Sequence, residues 1–285
     1  MCWNVRGLNH PAKHASVYEV AAANRIAILC FQETKIDAWS PSLVREIGGS
    51  SLTGCIALPA IGTSGGATII WNKDLATVTS HAIGAFAITV RVSLLGQPHS
   101  FWLSSVYGPT DGARKDSFIL ELARTSPPTN EPWLINGDSN LIYEARDKNN
   151  LNLNRRLMGR FRSAIDVAGL KEIKCKNRRY TWSNERQDPT LVSIDKFFCN
   201  QAWESLFPSF AVMADSTAMS DHCPLIIAHT SAPPRHASFR LESFWPRFPR
   251  FHEMVAAAWN RPVQSSCAFR CLHTKMERTA RDLKI

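Results

Sequence analysis

The stretch WLINGDSN, residues 133–140, decides the reading of this chain. Trp133, Leu134 and Ile135 form a short apolar strand, Asn136 and Gly137 break it, and Asp138 and Asn140 follow two apart. In extended backbone, residues i and i+2 point the same way, so the carboxylate and the amide share one face. A carboxylate beside a neutral amide at the end of a buried strand suits an activated water or a phosphate oxygen. The plainer alternative is a polar turn, since Asn, Asp, Gly and Ser all favour turns. The rest of the chain separates the two.

Outward from this stretch, other apolar runs end the same way. MCWNVRGL (1–8) is an apolar strand ending at Asn4, Arg6 and Gly7, with no leader before it. Residues 13–24 read as a helix. IAILCFQETK (26–35) is a near-continuous apolar run, the mark of a strand buried on both faces, and it ends at Gln32 and Glu33. Strands over 54–58, 67–71, 76–80, 86–94 and 99–107, joined by short turns, read as an antiparallel meander; the last ends at Tyr107. A helix over 114–124 leads into 133–140. Leu153, Leu157, Phe161 and Ile165 step by four through an amphipathic helix over 153–168. Strands follow at 178–184 and at 191–200, the latter carrying Asp195. Asp221 and His222 then stand in a polar turn before a strand at 223–228.

The 285 residues allow one large domain with an extension. Hydrophobic content of 45% and charged content of 20% describe a soluble globular protein. No apolar run nears the ~20 residues that span a bilayer, and no secretory signal opens the chain. Eight cysteines are scattered, several inside strand-like runs, which suits a reducing compartment, nuclear or cytoplasmic. Cys267, Cys271 and His273 fit no common zinc spacing and lack a fourth ligand.

The net charge of +9 is unevenly spread. Residues 146–179 hold 11 Lys/Arg against 3 Asp/Glu, and residues 231–285 hold 10 against 4. An acidic body with two basic patches is expected if acids gather metal while bases gather a polyanion. A basic face without a partner explains the charge alone equally well. SAPPR (231–235) reads as a linker, so a boundary is expected at about 230. Basic helices with no second core follow.

Asn4, Glu33, Tyr107, Asp138, Asn140, Asp195, Asp221 and His222 thus all stand at ends of, or breaks in, apolar runs. A packed sheet pair would bring them to one rim. The chemistry they suit is phosphodiester hydrolysis. Glu33, with Asn4 and a late aspartate, offers oxygen ligands to Mg²⁺. Asp138 is the candidate base and Asn140 holds a phosphate oxygen or the water. Asp195 fixes the tautomer of His222, which donates to a phosphoryl oxygen, and Tyr107 adds a donor.

The ordered series WNVRG, FQETK, VYGPT, INGDSN, YTWSN, IDKFF and SDHCPL resembles the endonuclease/exonuclease/phosphatase superfamily. More narrowly, it resembles the apurinic-like endonuclease domain of plant non-LTR (LINE-type) retrotransposons, over about residues 1–230. The tail resembles the segment preceding the reverse transcriptase in such polyproteins, so the chain looks like a truncated element. The resemblance implies an α/β fold: a DNase I-like four-layer sandwich of two mostly antiparallel sheets with helices outside. It implies a Mg²⁺ cofactor (Mn²⁺ as an alternative), with Asn4, Glu33 and Asp221 at the metal. It also implies a monomer acting on double-stranded DNA. Arg6, Lys35, Arg146, Arg155, Arg156, Thr181 and Ser183 are the expected DNA contacts. The implied role is nicking target DNA to leave a 3′-hydroxyl that primes reverse transcription. A superfamily phosphatase or a nonfunctional nucleic-acid-binding remnant are the competing readings. Two departures stand out. Ser139 replaces the usual aromatic or apolar residue, forgoing ~1.5–3 kcal/mol of side-chain burial, and the first strand is short.

Overall fold

The computed structural model describes residues 1–62, 64–128, 131–230, 241 and 245–283. In chain order the elements are Cys2–Asn4 (β1), Pro11–Ala23 (α1), Ile28–Gln32 (β2), Pro41–Gly48 (α2), Leu52–Ile61 (β3), Ser64–Asn72 (β4), Ala76–Ile83 (β5), Ala87–Leu94 (β6) and Ser100–Tyr107 (β7). Then come Lys115–Arg124 (α3), Trp133–Asp138 (β8), Arg155–Val167 (α4), Leu170–Glu172 (β9), Trp182–Ser183 (β10), Leu191–Val192 (β11), Asp195–Asn200 (β12), Gln201–Leu206 (α5), Phe210–Ala214 (β13) and Leu225–His229 (β14). Phe251–Asn260 (α6) and Ala268–Asp282 (α7) complete the chain.

Alternation along β8 shows how the layers form. Leu134 points into the core between two sheets, with Cys2, Cys30, Ile69, Val90, Phe197 and Leu225. Trp133 and Ile135 point the other way, against Phe118, Leu122, Phe161 and Ile165 of α3 and α4. A strand packed on both faces carries no polar side, which is why these runs are continuously apolar. One six-stranded sheet runs β13-β14-β1-β2-β4-β3 and the other β5-β6-β7-β8-β12-β9. The first is covered on its outer face by α1 and α2, through Trp3, Phe31, Val17, Val20 and Ile47. The result is the expected four-layer sandwich. Among the strand pairs of the described residues, β1–β2 and β7–β8 are the parallel ones.

Several elements differ from expectation. α2 was not anticipated, although its ends are marked: Leu43 N–H donates to the Ser40 hydroxyl at 3.2 Å, Pro41 opens the helix, and Gly49 (φ +72°) closes it. The strand expected over 178–184 is two residues long, because Thr181 turns inward and Asn184 closes a loop by accepting from Arg186 and Thr190. β1 is short, as expected, but all three residues are buried.

Ser139 is 2% exposed and is stapled by polar contacts in place of apolar ones. Its hydroxyl lies 2.9 and 3.0 Å from the carbonyls of Leu141 and Ile194 and accepts from Leu141 N–H. The chain is tight here. A Cβ on Gly108 would lie 2.1 Å from the Ser139 carbonyl, and one on Gly137 (φ +146°) 1.9 Å from that of Val106.

α6 and α7 pack on each other, and among their described residues only Ala258 is buried. The expected boundary at 230 borders residues 231–240, which lie outside the described residues. No helix among the described residues is long and apolar enough to cross a membrane.

Candidate active site

The register of the second sheet sets one row of the site. Asp138 pairs with Tyr107 across the parallel β7–β8 ladder and with Asp195 across the antiparallel β8–β12 ladder. In the facing sheet, Asn4 ends β1 beside Gln32, the last residue of β2, and Glu33 follows. Strand ends from both sheets therefore meet at one edge of the sandwich.

The eight residues form one hydrogen-bonded and charge-paired cluster. Asn4 Nδ2 bridges the sheets, donating to Asp138 Oδ2 at 2.9 Å and to Glu33 Oε2 at 3.4 Å. Tyr107 OH donates to Glu33 Oε2 at 3.3 Å. His222 Nδ1 contacts Asp195 Oδ2 at 2.9 Å, and its Nε2 faces Asp138 Oδ2 at 3.9 Å and Asp221 Oδ1 at 4.0 Å. Asn140 N–H donates to Asp138 Oδ1 at 2.8 Å, while its amide donates to Gly108 O at 2.9 Å and reaches Asp138 Oδ2 at 3.3 Å. Both amide hydrogens are engaged, so its carbonyl oxygen is left to accept.

Arg6 and Lys35 belong to the cluster too. Arg6 Nη1 lies 3.3 Å from Glu33 Oε2 and its Nε 3.0 Å from Asp221 Oδ1; Lys35 Nζ lies 3.2 Å from Glu33 Oε1. Four of the six non-glycine residues with positive φ stand here: Arg6, Glu33, Lys35 and Asn140. Such backbone costs of order 1–3 kcal/mol each and persists where the surroundings impose it. Here those surroundings are the charge pairs and ladders just described.

The remaining expected DNA contacts lie elsewhere. Arg146, which pairs with Glu144, and Arg155 and Arg156 on the first turn of α4 are exposed. Thr181 and Ser183 are 2% and 1% exposed, so neither side chain meets the solvent. Thr181 Oγ1 instead donates to Asp195 Oδ2 at 2.6 Å and accepts from Asp195 N–H. Ser183 accepts from Glu185 N–H.

Sequence reasoning missed four supports. Trp182 Nε1 donates to Asp221 Oδ2 at 2.8 Å, Trp3 Nε1 to the His222 carbonyl at 3.1 Å, Ser220 Oγ to the Asn4 carbonyl, and Lys115 Nζ to the Asn140 carbonyl. An indole beside a motif residue was the available signal for both tryptophans, but apolar packing explains one equally well.

Burial and charge pull the acids and bases apart. Asp138 is raised to about 6, by desolvation first and then by the Asp195 charge. Burial would lower His222, but the Asp195 charge and hydrogen bond, helped by Asp138 and Asp221, outweigh it and push it up to about 9. Burial alone would raise Glu33, yet Arg6 and Lys35 hold it below the usual range. Desolvation and the Glu33 charge raise Tyr107, keeping the phenol protonated. At neutral pH the site thus holds an ionised Asp138 facing a cationic His222.

Asn4, Glu33, Asp138, Asn140 and His222 of the cluster line a cavity of about 470 Å³ that Leu141, Ile142, Met158, Trp182 and Ile194 also line. Two donor sets could hold a cation. Asp138, Asp195 and His222 offer atoms within 4.8 Å of one another. Hard cations take oxygen ligands, however. Glu33, Asp221 and the Asn4 carbonyl are the better set. Among the described residues, Asp221 Oδ1 is buried without a hydrogen bond, with the charges of Arg6 (Nε, 3.0 Å) and His222 (Nε2, 4.0 Å) beside it.

The endonuclease/exonuclease/phosphatase family model matches residues 1–222. The chain belongs to this family. The family is one of endonucleases, exonucleases and phosphatases. Solved structures share the fold at low identity. The endonuclease domain of TRAS1, a telomere-specific non-LTR retrotransposon, is 15% identical, with 81% of this chain and 98% of that one covered and a TM-score of 0.57. The AP endonuclease LMAP from Leishmania major is 16% identical, with 81% and 87% covered and a TM-score of 0.62. D. rerio TDP2, complexed with a single-strand DNA product, is 15% identical, with 79% and 95% covered and a TM-score of 0.55. No curated protein matches the chain.

Proposed function

We propose that this family member is a divalent-metal-dependent DNA endonuclease that nicks double-stranded DNA by phosphodiester hydrolysis and leaves a 3′-hydroxyl. The observation that carries the reading is the 3.9 Å gap between His222 Nε2 and Asp138 Oδ2. It is too long for a hydrogen bond and separates a base from an acid held in opposite protonation states.

Asp138 accepts a proton from the attacking water, with a pKa close to the working pH as general bases need. Asn140 fixes that carboxylate through its N–H and presents its carbonyl oxygen to the water. His222, held cationic and oriented by Asp195, hydrogen-bonds from Nε2 to a phosphoryl oxygen as charge builds; the water oxygen bonds phosphorus, the P–O3′ bond breaks, and the departing O3′ takes its proton from solvent. Tyr107 donates to the same developing charge. Thr181 is a positioning residue that orients Asp195. Glu33, Asp221 and Asn4 would hold the Mg²⁺ (or Mn²⁺), which supplies Lewis-acid stabilisation of the phosphoryl oxygens.

Arg155, Arg156 and Arg146 supply an outer basic surface that suits a DNA backbone rather than a small phosphate ester. Arg6 and Lys35 sit close enough to the carboxylates to meet a phosphate there. The target-primed role and plant LINE origin rest on the motif resemblance. So does a division into an endonuclease domain (1–230) and a basic linker (231–285), acting as a monomer. No disulfide joins the described cysteines, and a reducing nuclear or cytoplasmic setting is part of this reading.

Supercoiled plasmid with Mg²⁺ tests this reading. The chain should relax it to nicked circles, and Glu33→Ala and His222→Ala should each lose at least about a hundredfold. Variants that nick as fast as the parent refute it.

A further inference from the structure

The cavity holding Asp138 and His222 is bounded on one side by the loop 147–154, whose Lys148, Asn152 and Asn154 line it. This loop is lashed down by asparagines. Leu191 N–H donates to Asn149 Oδ1 (3.0 Å) and Asn149 Nδ2 to the Pro189 carbonyl (2.8 Å). Asn152 N–H donates to Asn150 Oδ1 (3.1 Å), Lys148 Nζ to the Asn152 carbonyl (2.6 Å), and Asn154 caps α4. At the tip stands Leu151, 91% exposed, the most exposed large hydrophobic side chain among the described residues.

Single exposed aliphatic residues are ordinary on protein surfaces. Val167, 82% exposed at the last turn of α4, is of that kind. Leu151 differs in two respects: side-chain hydrogen bonds hold the loop on both sides of it, and its loop neighbours Lys148, Asn152 and Asn154 line the cavity that holds Asp138 and His222. A protein partner would need a wider apolar patch than one leucine. Duplex DNA needs only one. Its charged exterior meets Arg155 and Arg156, and its apolar interior opens to a single side chain that parts a base step, as leucine does in several groove-binding proteins.

We propose that Leu151 is a wedge that enters the duplex beside the scissile phosphate and unstacks one base step there. The inference rests on the nuclease reading above. Parting the step bends the backbone toward the cavity and presents the phosphate to Asp138 and His222, so local deformability of the DNA becomes part of site selection.

The test uses the full chain and a duplex built around a nick site mapped on plasmid, with 2-aminopurine placed in turn at each flanking base. In a His222→Ala background, which holds DNA uncut in Mg²⁺, one position should brighten on binding. Leu151→Ser should abolish that signal and, with His222 intact, slow nicking about tenfold, the scale set by burying a leucine. Leu151→Met should restore both, Val167→Ser should change neither, and the melting temperature of Leu151→Ser should match the parent's. A probe dark at every position, a serine variant that nicks at the parent rate, or one that melts early overturns the wedge while leaving the nuclease reading intact. A parent chain that neither binds nor nicks DNA overturns both.

Discussion

Asp195→Asn isolates what the buried carboxylate does for His222. Asp195 is the leading group holding the imidazole cationic, through its charge and a 2.9 Å contact to Nδ1. The rise from 6.5 to about 9 corresponds to about 3 kcal/mol favouring the protonated ring. In the variant, Thr181 still donates to the side-chain carbonyl, which turns the new amide N–H toward Nδ1. The ring then keeps its place but loses most of the charge that outweighed its burial. The histidine pKa should fall below 7, leaving a neutral donor at neutral pH and slowing nicking about 10²–10⁴-fold. Histidine NMR titration and a pH–rate profile read the two effects separately. Stability follows the same linkage. A folded pKa above the unfolded one stabilises fully below about 6.5, and the gain is lost as pH rises through about 9. The variant should therefore lose stability near pH 6 and converge on the parent near pH 10. A descending limb that stays near 9, or a variant that nicks at the parent rate, refutes the assignment of Asp195.

Nicking by the parent should follow a bell with limbs near 6, where Asp138 ionises, and near 9, where His222 loses its proton. Asp138→Asn should abolish turnover about 10²–10⁴-fold while leaving DNA binding in place, as a filter-binding assay would show. Ser139→Ala should cost about 1 kcal/mol in urea unfolding, because buried carbonyls lose a donor; no change would mean the staple is dispensable. Phe161→Ala should cost about 3–5 kcal/mol, since its ring fills the layer between β8 and α4.

The layered architecture was legible because its signals are local. Strands buried on both faces must read as continuous apolar runs, so 26–35 and 133–135 announced themselves. A four-residue apolar step likewise announced α4. Strand-end polar residues were legible for the same reason, since Asn4, Glu33, Asp138 and Asp195 each interrupt an apolar run where no core requires them. Which of them meet was not legible from the run itself. That Asp138 stands opposite both Tyr107 and Asp195 follows from ladder register, and that Asn4 reaches Asp138 follows from the packing of two sheets. Both are set by contacts between residues 31 to 134 apart in sequence. The same dependence explains where the sequence reading went astray. DNA contacts at Thr181 and Ser183 are implied by the resemblance, through a strand that touches DNA in relatives. Their strand is two residues long, however, and the tertiary fold turns Thr181 toward a buried carboxylate. Local chemistry determined the residue types at the rim; only long-range packing decided the distances and protonation states.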